Sequence, residues 1–380
     1  MQKNIYRKPR LAIISDTAMF LEDSTYIFEP VLREVVSFSN LFDSITWLGF
    51  GHLKSHPENS KKDLPANVEL VTIKPSGGNT IIKKIGIFFK LPGYLMKILP
   101  IIKNADVVHT RGPSIPALLA ILISVVYPGK KYWHKYAGDW KIGSSASSYN
   151  FQRWLLAIIN TGKVIVSARN NSDHPHILSW ENPCLTEAEL DHNLISGIQK
   201  KFTEKLTFCF IGRLEESKGL PILLEVISKL KKVEWMEKLH CVGEGLEKKK
   251  FDQKAQNNEV PIIFHGILDR QKLNKIYTES HFIILPSQSE GFPKVLAEAA
   301  SFGCIPIVPP IPSVLAYFNE EKKNAIELKD ITSEDIAEKL INLTQRRDEL
   351  GTISLNALNS AKQFTYERYN ENISNWFLSN

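Results

Sequence analysis

Short apolar runs alternate with longer amphipathic ones along this chain, and the alternation happens twice. In the first half Leu11–Ser15, Ile45–Leu48, Val68–Ile73, Asp106–His109, Lys131–Ala137 and Lys163–Ser167 have the composition of buried strands. Leu206–Ile211, Leu239–Val242, Ile262–His265, Phe282–Leu285 and Ile305–Val308 repeat it in the second. Helical periodicity marks Glu29–Phe38, Ile115–Val126, Pro221–Lys231, Asp269–Ser280, Pro293–Phe302 and Ser333–Thr344. Strands that are apolar on both faces, separated by helices, predict parallel sheets covered on both sides. The expected fold class is therefore α/β, with two Rossmann-like, doubly wound sheets facing across a cleft. Ile177–Trp180 reads as the last strand of the first sheet, and Glu181-Asn182-Pro183 begins a hinge. The polar stretch from Cys184 to Lys205 reads as a linker, which puts the domains at 1–190 and 191–363.

The 380 residues suit two domains of ordinary size. Four scattered cysteines, Cys184, Cys209, Cys241 and Cys304, form no CxxC pair, which argues against a zinc site or a disulfide framework. No signal peptide and no uncharged apolar run of membrane-spanning length is recognisable, so a cytoplasmic location is expected. Residues 1–200 hold 23 Lys and Arg against 16 Asp and Glu, whereas residues 201–380 hold 24 against 25. The basic excess lies in the first half. It suits an anionic membrane face or a phosphorylated ligand, while no basic recognition motif points to nucleic acid.

Two motifs carry chemistry. Ser289-Glu290-Gly291-Phe292-Pro293-Lys294-Val295-Leu296-Ala297-Glu298-Ala299 follows a strand and opens a helix, with Pro293 suited to its first turn. Glu290 then lies just ahead of a helix N-terminus, whose free N–H groups and dipole favour phosphate or sugar oxygens. Glu298 falls about 8 Å further along the axis. The second motif, Gly212-Arg213-Leu214-Glu215-Glu216-Ser217-Lys218-Gly219, also joins strand to helix. Gly212 permits close backbone approach, and Arg213 and Lys218 can bracket a diphosphate, one as a fork and one as a point charge.

With Val242–Gly245 (VGEG) and Phe264–Gly266 (FHG) between them, these motifs resemble the C-terminal half of the large retaining glycosyltransferase family that includes glycogen and sucrose synthases, of the family 4, group 1 type. The resemblance is specific from about residue 206 to 310. It implies the GT-B fold, a nucleotide-diphospho-sugar donor such as a UDP-sugar, no required cofactor or metal, and transfer with retention of anomeric configuration. By position, Arg213 and Lys218 would hold the diphosphate. Glu290 would contact the donor sugar, with backbone N–H groups from Gly291 and Phe292, and Glu298 would hold the ribose. Gly243 and Gly245 would let the nucleotide approach the backbone. The first domain would bind a saccharide or lipid-linked acceptor, with a final helix near 364–380 packing back onto it. Assembly of a cell-surface polysaccharide (capsule, O-antigen or lipopolysaccharide) is the expected setting. A sugar-nucleotide epimerase of the same fold and a non-catalytic nucleotide-sugar-binding protein are the rival readings.

The first half departs from the family pattern. Many family members carry a histidine at the end of a middle strand, touching the donor sugar. Alignment on Gly138 puts Ala137 at that place, with His134 three residues early. His134, Asp139 and Lys135 are the open alternatives for its role. Asp16, Arg111 and Lys135 are acceptor-side candidates. Ile82–Lys103 mixes lysines with large apolar residues. It reads either as a segment lying on a membrane surface or as a core-packed helical pair, with Pro92 and Gly93 breaking any single helix.

Overall fold

A computed structural model of the chain describes residues 7–76, 81–138, 140, 147–167, 174–230, 234–245, 247–255 and 260–378. It divides into two compact units: Met1–Glu181 with Tyr366–Asn380, and Asn182–Thr365.

Among its described residues the first unit has the strands β1 (Arg10–Leu21), β2 (Thr25–Phe28), β3 (Ser44–His52), β4 (Ser60–Lys61), β5 (Val68–Ile73), β6 (Val107–Gly112), β7 (Lys131–Tyr136), β8 (Gly162–Val166) and β9 (Ile177–Ser179). Its helices are α1 (Glu29–Ser39), α2 (Ile81–Asn104), α3 (Ile115–Val126) and α4 (Ser147–Ile158). Strands β5-β3-β1-β6-β7-β8-β9 lie parallel in that order. β2 and β4 add an antiparallel extension at the far end of β1. Alternate residues of β1 feed two layers. Leu11 and Ile13 pack with Leu32, Val35 and Phe38 of α1. Ala12 and Ile14 pack with Tyr94, Ile98 and Ile102 of α2 and Ala120 and Ile123 of α3. α4 continues this second layer through Leu155 and Leu156 against Val164 and Val166.

The break expected at Pro92 does not occur: α2 runs unbroken past both Pro92 and Pro100. Both prolines are on its exposed side, so the carbonyls that lose an N–H partner are not sealed in the core. Buried Tyr94, Ile98 and Ile102 anchor the opposite side.

The second unit has β10 (Leu206–Ile211), β11 (Met236–Val242), β12 (Ile262–Phe264), β13 (Phe282–Ile284), β14 (Ile305–Val308) and β15 (Ile326–Glu327). Its helices are α5 (Glu187–Gly197), α6 (Leu220–Lys229), α7 (Lys248–Ala255), α8 (Arg270–Glu279), α9 (Lys294–Ser301), α10 (Pro312–Leu315), α11 (Ser333–Asn342) and α12 (Arg347–Ala361). The sheet is wholly parallel in the order β12-β11-β10-β13-β14-β15, the doubly wound arrangement in which the first strand is central. All six residues of β10 are buried. Burying a side chain such as Phe282 or Leu296 contributes roughly 1.5–3 kcal/mol.

The expected linker contains α5, and the unit boundary falls before it, at Glu181. Thr186 and Glu189 form a reciprocal capping box at its start. Asn193 Nδ2 donates to Ser301 Oγ of α9 at 2.9 Å. The closing helix α13 (Tyr366–Ile373) and the turn Ser374–Leu378 belong to the first unit, where Tyr369, Ile373 and Phe377 complete the layer over Leu11 and Ile13.

Candidate functional site

In the second sheet the chain leaves β10 toward β11 and returns on the other side at β13. The ends of β10 and β13 therefore mark the sheet's topological switch point, the place where doubly wound sheets bind ligands. Both sequence motifs lie there. Gly212 N donates to Val242 O at 3.0 Å, tying the end of β10 to that of β11. The chain then makes a short 3₁₀ turn, Glu216–Lys218, and reverses through Gly219 at φ +75°. A Cβ on Gly219 would lie 2.0 Å from Pro286 O, so glycine is what lets this turn touch the loop after β13. Gln288 N donates to Ser217 O at 3.0 Å, fastening the two loops together.

Across this junction Lys218 Nζ meets Glu290 Oε1 at 2.5 Å, with both side chains largely buried. The residues expected to hold a diphosphate and a sugar thus touch. An ammonium has three donors, so Lys218 can keep Glu290 and still reach a phosphate oxygen. Ser313 Oγ donates to Glu290 O at 2.9 Å. Phe292 is buried and stacks on Phe364 with centroids 4.7 Å apart, which anchors the loop by its side chain. The helix begins at Lys294, with Pro293 at the cap and not in the first turn. Arg213 is exposed and pairs with Glu215 at 3.0 Å.

Gly243, Gly245 and Glu298 all have close partners within the protein. A Cβ on Gly243, at φ +136°, would lie 1.8 Å from Gly212 O, and one on Gly245 would lie 2.1 Å from Leu214 O. What lies in the Cβ direction of these glycines is the loop after β10. Gly212 itself faces open space: the nearest atom to an added Cβ is 4.0 Å away. Glu298 is buried inside the unit. Arg270 Nη1 is 3.3 Å from its Oε1, and the Tyr277 hydroxyl donates to its Oε2 at 3.2 Å. Arg270 also reaches Glu189 at 2.9 Å and donates to Cys184 O at 3.3 Å. Burial and the neighbouring Glu298 carboxylate push the Tyr277 hydroxyl well above its ordinary value. Glu298 thereby joins α9 to α8 and α5, and Arg270, which the motifs do not announce, is its partner.

The first sheet has its own switch point between β1 and β6. A pocket of about 470 Å³ lies there, lined by Asp16, Thr17, Phe20, Arg111, Pro113 and Ala137 among others. Burial raises the Asp16 carboxyl above its ordinary value, and the charge of Arg111 opposes that shift. Arg111 and Lys135 both turn to Glu34 of α1. Arg111 Nη1 and Lys135 Nζ each stand 2.7 Å from Glu34 Oε1, and Glu34 is wholly buried. Burial opposes the charge on Arg111, but Glu34 more than compensates and raises its pKa. Lys135 is therefore a buried partner of Glu34, while Arg111 keeps one side on the pocket. Glu34 was legible in principle, as an acid among Val31, Leu32, Val35 and Phe38 on the packed face of an amphipathic helix.

His134 lies inside the first sheet. It is buried in mid-strand, its Nδ1 is 2.9 Å from Thr110 Oγ1, and burial lowers it to about 3. It points into the layer under α3 and α4, away from the strand ends. Ala137 instead lines the pocket, and Asp139 lies outside the described residues.

Residues 191–360 match the family model described as "Glycosyl transferases group 1". An uncharacterized glycosyltransferase of Haemophilus influenzae is 31% identical over 133 residues, covering 35% of each chain. The sulfoquinovosyl transferase SQD2 of Arabidopsis thaliana is 25% identical over 198 residues, 51% of this chain and 36% of that protein. The chain thus spans only about a third of the length of these curated relatives. Among solved structures, a glycosyltransferase from Rickettsia africae superposes with a TM-score of 0.67 at 18% identity, over 99% of this chain and 100% of the other. Sucrose-phosphate synthase from Thermosynechococcus elongatus gives 0.70 at 14% identity, over 97% and 98%. HepE from Anabaena, solved with UDP and glucose, gives 0.69 at 14%, over 98% and 100%. The two α/β units therefore have the GT-B fold, and within the second of them residues 191–360 match the glycosyl transferases group 1 model.

Proposed function

We propose that the protein is a retaining glycosyltransferase that moves a sugar from a UDP-sugar to a saccharide or lipid-linked acceptor in cell-surface polysaccharide assembly. The observation that carries this reading is the junction of two loops at the switch point of the second sheet, where Lys218 and Glu290 meet at 2.5 Å beside an open Gly212 and the start of α9. Arg213 and Lys218 place positive charge where a diphosphate would depart. Glu290 and the N–H groups of Gly291 and Phe292 present acceptors and donors to a sugar. The C1–O bond to the phosphate breaks with its electron pair going to the leaving UDP. The acceptor oxygen bonds to C1 from the same face and passes its proton to the departing phosphate oxygen. Cations and oriented N–H groups stabilise the charge that grows on that phosphate. The acceptor belongs in the Asp16–Arg111 pocket. UDP and glucose are the ligands of HepE, and WaaG, a structural neighbour with a TM-score of 0.66, is a glycosyltransferase of lipopolysaccharide biosynthesis. Both support the choice of donor and setting.

A donor-binding protein without turnover is the second reading, favoured by the methyl group of Ala137 on a pocket where family members present an imidazole. Incubation with UDP-, GDP-, ADP- and CMP-sugars, with and without lipid-diphosphate sugars, followed by proton NMR of any product, separates the readings. A new glycoside with the donor's anomeric configuration supports the proposal. The inverted anomer overturns retention, an isomerised donor without acceptor indicates an epimerase, and binding without product favours the second reading.

A further inference from the structure

The first unit carries a surface that neither donor nor acceptor chemistry uses. From residue 70 to 105 the sequence has six lysines and no acidic residue. The structure gathers part of this stretch along the outward side of α2. Phe88, Phe89 and Met96 are 72%, 82% and 76% exposed there, although large apolar side chains on an ordinary packed helix turn inward. Beside them a groove of about 690 Å³ runs between α2 and the ends of β3 and β5. Leu53, in the loop after β3, lines it and is 90% exposed. Lys74, Lys90 and Lys97 line it too, and no lining residue among the described ones is acidic. Lys90 Nζ donates to Pro75 O at 2.5 Å and Lys97 Nζ to Thr72 O at 2.7 Å, so both charges are held at the groove's edge with no carboxylate neutralising them. On α3 and α4, which cover the same face of the sheet, Val125 and Trp154 are 54% and 55% exposed.

We propose that this face docks on an anionic lipid bilayer, with Phe88, Phe89, Met96 and Leu53 entering the headgroup boundary and Lys74, Lys90 and Lys97 lying against lipid phosphates. Charge decides the occupant. A second copy of the chain, meeting the face through two-fold symmetry, would set these lysines against themselves. A bilayer of anionic lipid supplies both the apolar layer and the opposite charge. No helix among the described residues is long and apolar enough to cross a membrane, so the contact is one of lying on the surface. The exposed prolines of α2 fit such a place, at the depth where freed carbonyls still meet water. The inference rests on this surface and not on the reaction, so it stands or falls separately from the transferase reading.

The test is co-sedimentation of the full chain with vesicles of phosphatidylcholine alone, or with a third of the lipid replaced by phosphatidylglycerol. The wild type is expected to sediment with the anionic vesicles, to stay in solution with the neutral ones, and to be released by high salt. Lys90→Glu with Lys97→Glu, and separately Phe88→Ser with Phe89→Ser, should each lower the bound fraction by about tenfold or more. Leu53→Ser, in the loop after β3, should weaken binding in the same direction, and circular dichroism of each variant should match the wild type. A wild type that ignores anionic vesicles overturns the proposal, as does equal binding by the variants. A dimer in solution that the phenylalanine variant abolishes, with no vesicle binding, would give the face to a second copy instead.

Discussion

Glu34 is where a single residue governs most of the first unit. One wholly buried carboxylate on α1 answers Arg111 from β6 and Lys135 from β7, and the Tyr369 hydroxyl of α13 lies 3.5 Å from it. Removing one member of such a cluster leaves uncompensated charge in the core, at a cost of roughly 3–5 kcal/mol. Glu34→Gln should therefore lower the thermal midpoint of the first unit by on the order of 10 °C. Scanning calorimetry checks it, and a midpoint within a degree or two of the wild type would show that the cations are neutralised some other way. The residue scale is also where sequence reading was weakest. Lys218 and Glu290 were named from motifs, yet nothing in a linear string says that their side chains meet. Gly243 and Gly245 read as room for a ligand because a glycine's spacing does not reveal which backbone approaches it. His134 read as a candidate because mid-strand burial shows only once β6, β7 and the helices over them are assembled.

At the scale of elements, periodicity did better. The runs from Leu11, Ile45, Leu206 and Phe282 became strands, since strands buried on both faces read as near-continuous apolar runs, and those from Val68 and Lys131 did so with polar residues among them. What escaped were elements whose stability comes from partners. The short strands β2, β4 and β15 exist through pairing. Helix α5 sits in a polar stretch, and its start is written only in the spacing of Thr186 and Glu189. Helix α2 survives two prolines because its inner face is anchored. Thr186→Ala should cost about 1 kcal/mol, the usual worth of such a cap. Urea unfolding that shows no loss would mean that the contacts of α5 with α9 and α12 suffice alone.

Across the whole molecule, burial of imidazoles sets the acid side of the stability curve. His134 is lowered to about 3 and His109 well below its ordinary value, both chiefly by burial. An unfolded chain binds those protons near pH 6.5, whereas the native chain refuses them until far lower. Stability is therefore full above about pH 6.5 and falls as the pH drops below it, since the unfolded state then holds more protons. Urea denaturation at pH 7 and pH 5 should show a loss of ~2–4 kcal/mol from these two groups. Equal stability at both would mean that the imidazoles protonate in the folded state.

The most direct test of the transferase reading is the release of UDP from a panel of UDP-hexoses, measured for the wild type, Lys218→Ala and Glu290→Ala at matched stability. We predict that the wild type releases UDP from one donor, faster with acceptor present, and that each substitution lowers turnover by about a hundredfold or more, the usual worth of a group stabilising a leaving charge. Turnover in both variants equal to the wild type would contradict a catalytic role for the Lys218–Glu290 junction, and a wild type that neither binds nor cleaves any donor would contradict the transferase reading itself.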